Sequence, residues 1–283
     1  MMIVDKILHS IENIPAFPGT VHRVAEIISQ EDYNVSELVS VIEYDQSVTA
    51  NLLRMSNSAY FGSRHRVSTV RDAVMFLGQE NIIRAVVASG VVGFYRNKRG
   101  YGVKGSDLWR HSVGVALMSQ VLSRKLCRRK DGELFTAALL HDVGKVVLGE
   151  YIDRSFEKIE RLVQKEGYAF LAAEKEVFGV DHAELGGKIA EKWNFPPKHV
   201  EVIACHHRPD KSEGERIVPW VVYLADQVCL MMGVGGGSDG LAYWGLKEVI
   251  QMFKLRQRDV EECMVQLFQE LELAEDIVNA FHD

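Results

Sequence analysis

The chain has 283 residues, of which 33 are Lys or Arg and 39 are Asp or Glu, so its formal net charge is −6 with His neutral. With 47% hydrophobic and 25% charged residues, it is not a disordered chain and has room for one large domain or two modest ones. The negative charge argues against a non-specific nucleic-acid binder, since such proteins carry a basic surface. Four scattered Cys without a CxxC pair indicate a reducing cytoplasm.

Apolar residues at helical spacing dominate the first third of the chain. They predict an amphipathic helix over residues 1–14 and a second helix through Val21, Val24, Ile27 and Ile28. Further helices are predicted over residues 36–42 with Ser36 as N-cap, and over 47–57, 70–77 and 80–90. No alternating apolar and polar segments flanked by hairpin turns occur. The sequence therefore predicts an all-α fold.

A break follows at residues 96–105 (RNKRGYGVKG), where four cations and three Gly interrupt the apolar pattern. We place a boundary there, with an N-terminal helical subdomain over residues 1–105 and a second helical domain over residues 106–283. Helices of the second domain are predicted over residues 106–128, 132–148, 170–178 and 183–194 with Asp181 as cap, and in two segments after Leu246. Another helix opens at Pro196-Pro197, and one from residue 217 is ended by the Gly-rich run at residues 233–237.

Residues 217–237 are long enough to cross a bilayer and carry one charge, Asp226. A lone Asp in a lipid-facing helix is expensive, so we expect a buried helix and no membrane association. Asp226 then needs a partner inside the protein.

Residues with ligand or base chemistry recur in the second domain, within the motifs RHS, LLHDVGK, DHAELGG, CHHRP and YLADQV. Each motif lies in or beside an apolar helix, where a charged or imidazole group is costly unless it is paired or metal-bound. Each alone could be a hydrogen-bonded core residue, but together they suggest a metal site. The candidate ligands are His111, His141, Asp142, His182, His206, His207 and Asp226. Cys205 and the other five His are expected to be ordinary packing or surface residues.

The order of these candidate ligands along the chain resembles the HD phosphohydrolase pattern. The string HDVGK at residues 141–145 is typical of that pattern. Upstream, IPAFPGT (14–20), DQSVTANLLRMSNSAYFG (45–62) and STVRDAVMFLG (68–78) resemble the HDOD family, a divergent HD branch common in bacterial signalling proteins. This resemblance implies a multi-helix HD-type bundle. HDOD domains commonly have a degraded metal set, whereas this sequence keeps a nearly complete one. It lacks the GYP string of the HD-GYP relatives, which argues against cyclic-di-GMP hydrolysis.

The resemblance further implies one metal ion held by His111, His141, Asp142 and Asp226, and a second held by His182, His206 and His207 with Asp142 bridging. Imidazole and carboxylate ligands without thiolates favour Fe, Mn, Zn or Mg, as one or two divalent ions. Such ions would activate water and neutralise charge on a phosphoryl group.

Side chains around the predicted ligands suggest roles in such a reaction. Asp142 or Asp226 would orient the water. Lys145 would contact a phosphate oxygen or a carboxylate, or it would be a solvated or helix-capping cation. Arg208 and Lys211 could bind an anionic substrate or be ordinary surface charges. In the N-terminal half, Asp45, Arg54, Asn57 and Tyr60 are interpreted as caps and inter-helix hydrogen bonds.

Two functions therefore remain open. The chain is either a regulatory signalling module that acts on a partner protein, with a metal ion that is structural or vestigial, or a metal-dependent phosphohydrolase or phosphodiesterase acting on a nucleotide-like molecule.

Overall fold

The computed structural model describes residues 3–12, 19–29, 32–57, 61, 66–95, 99–101, 103–127, 132–152, 155–214, 217–235 and 246–279. These residues are mainly helical, which confirms the all-α fold. In chain order the helices are α1 (Ile3–Glu12), α2 (Gly19–Ser29), α3 (Val35–Glu43), α4 (Gln46–Ser56), α5 (Val70–Tyr95), α6 (Gly105–Cys127), α7 (Gly132–Leu140), α8 (Val143–Ile152), α9 (Phe156–Glu166), α10 (Phe170–Phe178), α11 (His182–Lys192), α12 (Pro197–Cys205), α13 (Ile217–Met231), α14 (Leu246–Met252) and α15 (Gln257–Asn279).

A short antiparallel hairpin lies within the segment predicted as a break. It pairs β1 (Arg99–Gly100) with β2 (Val103–Lys104), and each strand has two residues. No helix in the described ranges is both long enough and apolar enough to cross a bilayer.

The chain divides into two compact units, which are described separately. The first comprises Met1–Pro15 and Tyr95–Leu267, and the second comprises Ala16–Phe94 and Phe268–Asp283. The predicted boundary after residue 105 falls near the junction between residues 94 and 95 but does not coincide with it. The division into two separate domains at residue 105 stays a prediction.

In the second unit, the apolar faces of α2, α3 and α4 form the core. The predicted repeat in α2 is buried, and the matching face of α3 is buried as well; these residues are Val21, Val24, Ile27, Ile28, Leu38 and Ile42. The predicted N-cap of α3 is wrong: Asn34 caps the helix by accepting hydrogen bonds from the backbone N–H groups of Ser36 and Glu37. Ser36 instead lies within the first turn.

The predicted capping roles of Asp45 and Asn57 are confirmed. The Asp45 carboxylate accepts a hydrogen bond from the Val48 N–H, and Asn57 is the C-cap of α4. The Asn57 side chain also donates to the Val67 carbonyl and accepts from the Val67 N–H, both at 2.7 to 2.8 Å. Tyr60 lies outside the described residues. Helix α5 is interrupted at Gly78, whose φ of 71° separates the two helices predicted there.

In the first unit, α13 packs against α6 and α12, and α11 packs between α8 and α12. Asp181 is the N-cap of α11, and Pro197 begins α12 after the N-cap Pro196, both as predicted. Helix α13 is buried along most of its length, including Asp226, and ends at Met231 before the left-handed Gly233. The predicted buried helix with a buried carboxylate, ended by the Gly-rich run that begins at Gly233, is therefore confirmed.

Candidate metal centre

Seven His and Asp side chains from five helices and their ends meet in one buried cluster of the first unit. They form two groups, and within each group one ligand atom from every residue lies within 4.8 Å of the others. The first group is His111, His141 and Asp226, and the second is Asp142, His182, His206 and His207. None of these residues is more than 9% exposed. All seven predicted ligands are therefore brought together, and their role in metal binding stays a prediction.

The predicted single helix over residues 132–148 is wrong, and the difference shapes the site. Helix α7 ends at Leu140 and α8 begins at Val143, so His141 and Asp142 lie in the turn between them. The backbone tightens there: the His141 N–H donates to the Ala138 carbonyl, three residues back, at 3.4 Å. The turn presents His141 to the first group and Asp142 to the second.

Close backbone packing holds this turn against α11. A Cβ placed on Gly144 would lie 1.9 Å from the His182 carbonyl oxygen and 2.9 Å from the Gly186 nitrogen. The absence of a side chain at Gly144 thus permits the close approach of α11. Because His182 is the first residue of α11, the same contact fixes the distance between the His141-Asp142 turn and the second group.

Backbone carbonyls accept hydrogen bonds from the Nδ1 atoms of three His in the cluster. The Nδ1 atoms of His111, His141 and His206 lie 2.6 to 3.0 Å from the carbonyls of Val234, Ala138 and Ile203, respectively. A carbonyl only accepts, so each Nδ1 carries a hydrogen. Neutral His141 and His206 therefore keep the lone pair on Nε2, whereas the Nε2 of His111 donates to Asp226 Oδ1 at 3.0 Å. Partners of this kind on the outer nitrogen orient His residues that bind metals.

Asp142 lies between the two groups. Its Oδ1 is 3.4 Å from the Nε2 of His182 and 3.6 Å from that of His206. Its Oδ2 is 3.3 Å from the Nε2 of His141 and 3.7 Å from that of His111. One oxygen therefore faces each group, which is the arrangement a bridging carboxylate requires.

Several ligand atoms in the cluster have no hydrogen-bond partner among the described residues. They are His141 Nε2, His206 Nε2, Asp142 Oδ1 and Asp226 Oδ2, all buried. A buried polar atom left unsatisfied costs about 1–3 kcal/mol, more when it is charged. A divalent ion contacting these lone pairs would remove that cost, and a mixed imidazole and carboxylate set suits Fe, Mn, Zn or Mg. The residues present therefore fit a metal.

Burial and nearby charges shift the pKa values within the cluster in different directions. Burial lowers the pKa of His206 to about 4, and it holds the pKa of His207 well below its ordinary value. Burial also opposes protonation of His111, but the hydrogen bond and charge of Asp226 outweigh it and raise the pKa. Burial alone would raise the pKa of Asp142, yet the adjacent His141 and Lys145 hold it well below its usual range.

The Lys145 ammonium is 2% exposed and donates to Asp142 Oδ2 at 2.6 Å. Of its two predicted contacts, the structure thus shows the carboxylate. Arg208 is partly exposed and pairs with the buried Asp181 at 3.2 Å, while Lys211 is exposed in a one-turn 3₁₀ helix. The catalytic role of Lys145 and the substrate roles of Arg208 and Lys211 stay predictions.

Sequence reasoning missed two residues that contact the cluster, Glu174 and Tyr101. The fully buried Glu174 carboxylate accepts hydrogen bonds from the Tyr101 hydroxyl and from His182 Nδ1, the latter at 2.7 Å. A signal for Glu174 existed, since it lies one turn from both Phe170 and Phe178 on the apolar face of α10. A charge at such a position needs a buried partner. Tyr101, in a turn, had no comparable signal.

The sequence model of the HDOD domain family matches residues 14–209, and the chain belongs to that family. It is 24% identical over 209 residues to an uncharacterized protein of Treponema pallidum, covering 72% of this chain and 40% of that protein. It is 26% identical over 158 residues to ribonuclease Y of Mycoplasma capricolum, covering 56% of this chain and 23% of that enzyme. The chain thus spans less than half the length of either relative.

Solved structures share the fold over nearly the whole chain. An HDOD domain protein of unknown function from Geobacter sulfurreducens superposes with a TM-score of 0.71 at 23% identity, covering 98% of this chain and 95% of that one. A protein provisionally named for signal transduction, from Marinobacter aquaeolei, gives a TM-score of 0.73 at 18% identity, covering 100% and 62%. At these identities the likeness establishes the HD-type helical fold.

Proposed function

We propose that this HDOD protein is a bacterial signalling or regulatory module that binds one or two divalent metal ions in its His and Asp cluster. The observation that carries the proposal is the cluster itself, with four buried ligand atoms that no described residue satisfies. Proteins rarely keep such atoms unless an ion or ordered water contacts them. The partner would be a signalling protein or a nucleotide-like small molecule.

Enclosure of the ligands favours a regulatory role over rapid turnover. None of the seven is more than 9% exposed, and Lys145 and Glu174 beside them are buried as well. A substrate would have to reach residues that protein atoms now cover. A bound ion in such a place would cross-link the middle of α13 to the ends of α7 and α12, and it would stabilise the folded state to an extent set by its affinity.

A metal-dependent phosphohydrolase or phosphodiesterase is the alternative, and the position of Asp142 favours it. One carboxylate oxygen faces each group of ligands, as two adjacent ions would require. Bound ions would supply an activated water and a positive field for the phosphoryl oxygens. Asp142 and Lys145 would orient the reacting groups from a fixed turn. The sequence similarity to ribonuclease Y, a name that denotes an enzyme cleaving phosphodiester bonds, supports a phosphodiester as the substrate.

Elemental analysis of the purified chain, paired with a screen of phosphodiesters and nucleotides, tests both functions. We expect about one or two equivalents of metal in the wild type and a loss of metal in Asp142→Ala. Metal without any turnover would support the regulatory role. Turnover that Asp142→Ala abolishes would establish the enzyme, and a wild type without metal after reconstitution with Mn²⁺, Fe²⁺ or Zn²⁺ would refute the proposal.

A further inference from the structure

The His residues of the cluster differ in what holds the nitrogen that faces away from the ligand groups. For His111, His141 and His206 it is a backbone carbonyl, whereas for His182 it is the Glu174 carboxylate at 2.7 Å. A carboxylate partner makes an imidazole a stronger metal ligand than a neutral carbonyl does. His182 therefore differs chemically from the other three.

Glu174 is held in place by more than this one contact. It is fully buried, and its Oε2 also accepts the His182 backbone N–H at 3.0 Å. Its Oε1 accepts a hydrogen bond from the Tyr101 hydroxyl. A buried carboxylate is costly unless it is satisfied in this way, and three donors fix its orientation. The charge and position of Glu174 are thus directed at His182.

Tyr101 reaches Glu174 from an unusual backbone position. Its φ of 59° lies in the left-handed region, which costs a residue with a side chain on the order of 1 kcal/mol. Its side chain is nevertheless fully buried, with the ring 5.8 Å from that of Phe170 and edge-on to His182 at 6.3 Å. Strain of this kind persists where the surroundings hold the residue, and here they direct the hydroxyl onto Glu174.

We propose that Glu174 and Tyr101 are a pair of positioning residues that make the group of Asp142, His182, His206 and His207 the higher-affinity metal site. Glu174 keeps the hydrogen of His182 on Nδ1, which leaves the Nε2 lone pair directed into the group, and Tyr101 fixes the carboxylate. In the other group, the Nδ1 atoms of His111 and His141 face backbone carbonyls and not carboxylates. This inference rests on the proposed metal site and adds an order of filling to it.

Titration of the metal-free full chain with Mn²⁺, followed by calorimetry and by elemental analysis, tests the order. In Glu174→Gln the amide keeps the shape but loses the charge, and we expect the tighter binding step to weaken by about 10- to 100-fold while the weaker step is unchanged. Tyr101→Phe keeps the ring and loses the hydroxyl, so a smaller weakening of the same step is expected. Nitrogen chemical shifts of the His182 ring report its tautomer without metal, and they should change in Glu174→Gln.

Glu201→Gln is the matched control. The Glu201 carboxylate also accepts two hydrogen bonds, from the Ser212 hydroxyl and the Gly214 N–H, but it lies outside the cluster. We expect wild-type Mn²⁺ binding in this variant. Equal weakening in control and test variants, or wild-type binding together with an unchanged His182 tautomer in Glu174→Gln, would overturn the inference while leaving the metal site intact.

Three further outcomes are also decisive. If Glu174→Gln does not fold, Tyr101→Phe decides through the same two readouts, and an unchanged tight step overturns the inference. A wild type that binds no Mn²⁺, Fe²⁺ or Zn²⁺ would overturn the proposed function and the inference together. A wild type that binds two ions with a Glu174→Gln that binds them equally well would overturn the inference alone.

Discussion

The two compact units treat buried polar groups in opposite ways. Among the described residues of the second unit, the only polar side chain that is buried is that of Ser56. Its hydroxyl donates a hydrogen bond to the Leu52 carbonyl within α4. The first unit buries charged groups, including Asp142, Lys145, Glu174 and Asp226. Both units bury apolar helix faces of the same kind. The difference indicates that apolar packing accounts for the interior of the second unit, while the interior of the first must also satisfy buried charges.

Two polar groups of the second unit lie at helix N-termini, where they replace missing backbone partners. Asn34 and Asp45 accept hydrogen bonds from the first turns of α3 and α4. Such groups stabilise the chain locally and need no ligand. Asp142 and Asp226 of the first unit are buried among imidazoles, so charged partners such as an ammonium or a metal ion must offset their desolvation.

Gly144→Ala, in the first unit, should cause the largest loss of both stability and metal binding. Its Cβ would lie 1.9 Å from a backbone oxygen of α11, and since neither backbone can yield easily, we expect a loss of about 4 kcal/mol or more and little metal in the remaining protein. Chemical unfolding and elemental analysis measure both. Gly19→Ala, in the second unit, meets nothing within 4 Å and should behave as the wild type. Equal behaviour of the two variants would contradict the close contact.

Leu52→Ala should affect stability alone. Leu52 is fully buried in the second unit, so its truncation should cost about 2–5 kcal/mol. The folded protein should still bind metal in the wild-type amount, because the ligands belong to the first unit. Denaturant midpoints and metal content of the folded fraction check this. Loss of metal without loss of folded protein would show that the two units do not divide stability and chemistry in this way.

Acidification of the metal-free protein should act on the first unit. Burial lowers the pKa of His206 from 6.5 to about 4, so between these pH values the unfolded state binds more protons and stability falls as the pH falls. The shift corresponds to at most about 3 kcal/mol from this group. His207, whose pKa is also lowered, acts in the same direction, while the raised pKa values of His111 and His182 oppose it.

Unfolding at several pH values between 6.5 and 4, in wild type and His206→Gln, measures the contribution of this residue. The variant has no titrating group at position 206, so its stability should depend less steeply on pH. Added Mn²⁺ should restore stability at pH 6.5 more than at pH 4, since protons compete for the same nitrogens. Parallel curves for the two proteins would show that His206 does not titrate as its burial requires.

The class of fold and the identity of the seven clustered residues could be predicted from sequence because both depend on residue type. Helical spacing predicts α2 and α3, and costly polar residues in apolar helices mark His111 and Asp226 as partners of something buried. The turn at His141-Asp142 could not be predicted, since the surrounding apolar run continues the helical pattern on both sides. Long-range packing of Gly144 against α11 decides it. The contact of Tyr101 could not be predicted for the same reason, because its hydrogen bond to Glu174 joins positions 73 residues apart.

Asp45→Ala should change the free energy of unfolding least, and it tests whether a cap of the second unit has any influence on the metal centre. Asp45 caps α4 through one hydrogen bond to the Val48 N–H at 3.1 Å, and loss of such a cap costs about 1 kcal/mol. Asn34→Ala, which removes the cap of α3, should cost a similar amount and serves as its match. Neither variant should change metal content or Mn²⁺ affinity. Because Asp45 begins one of the strings that resemble the HDOD family, a fall in Mn²⁺ affinity in Asp45→Ala but not in Asn34→Ala would show that this residue serves the metal centre as well as its own helix.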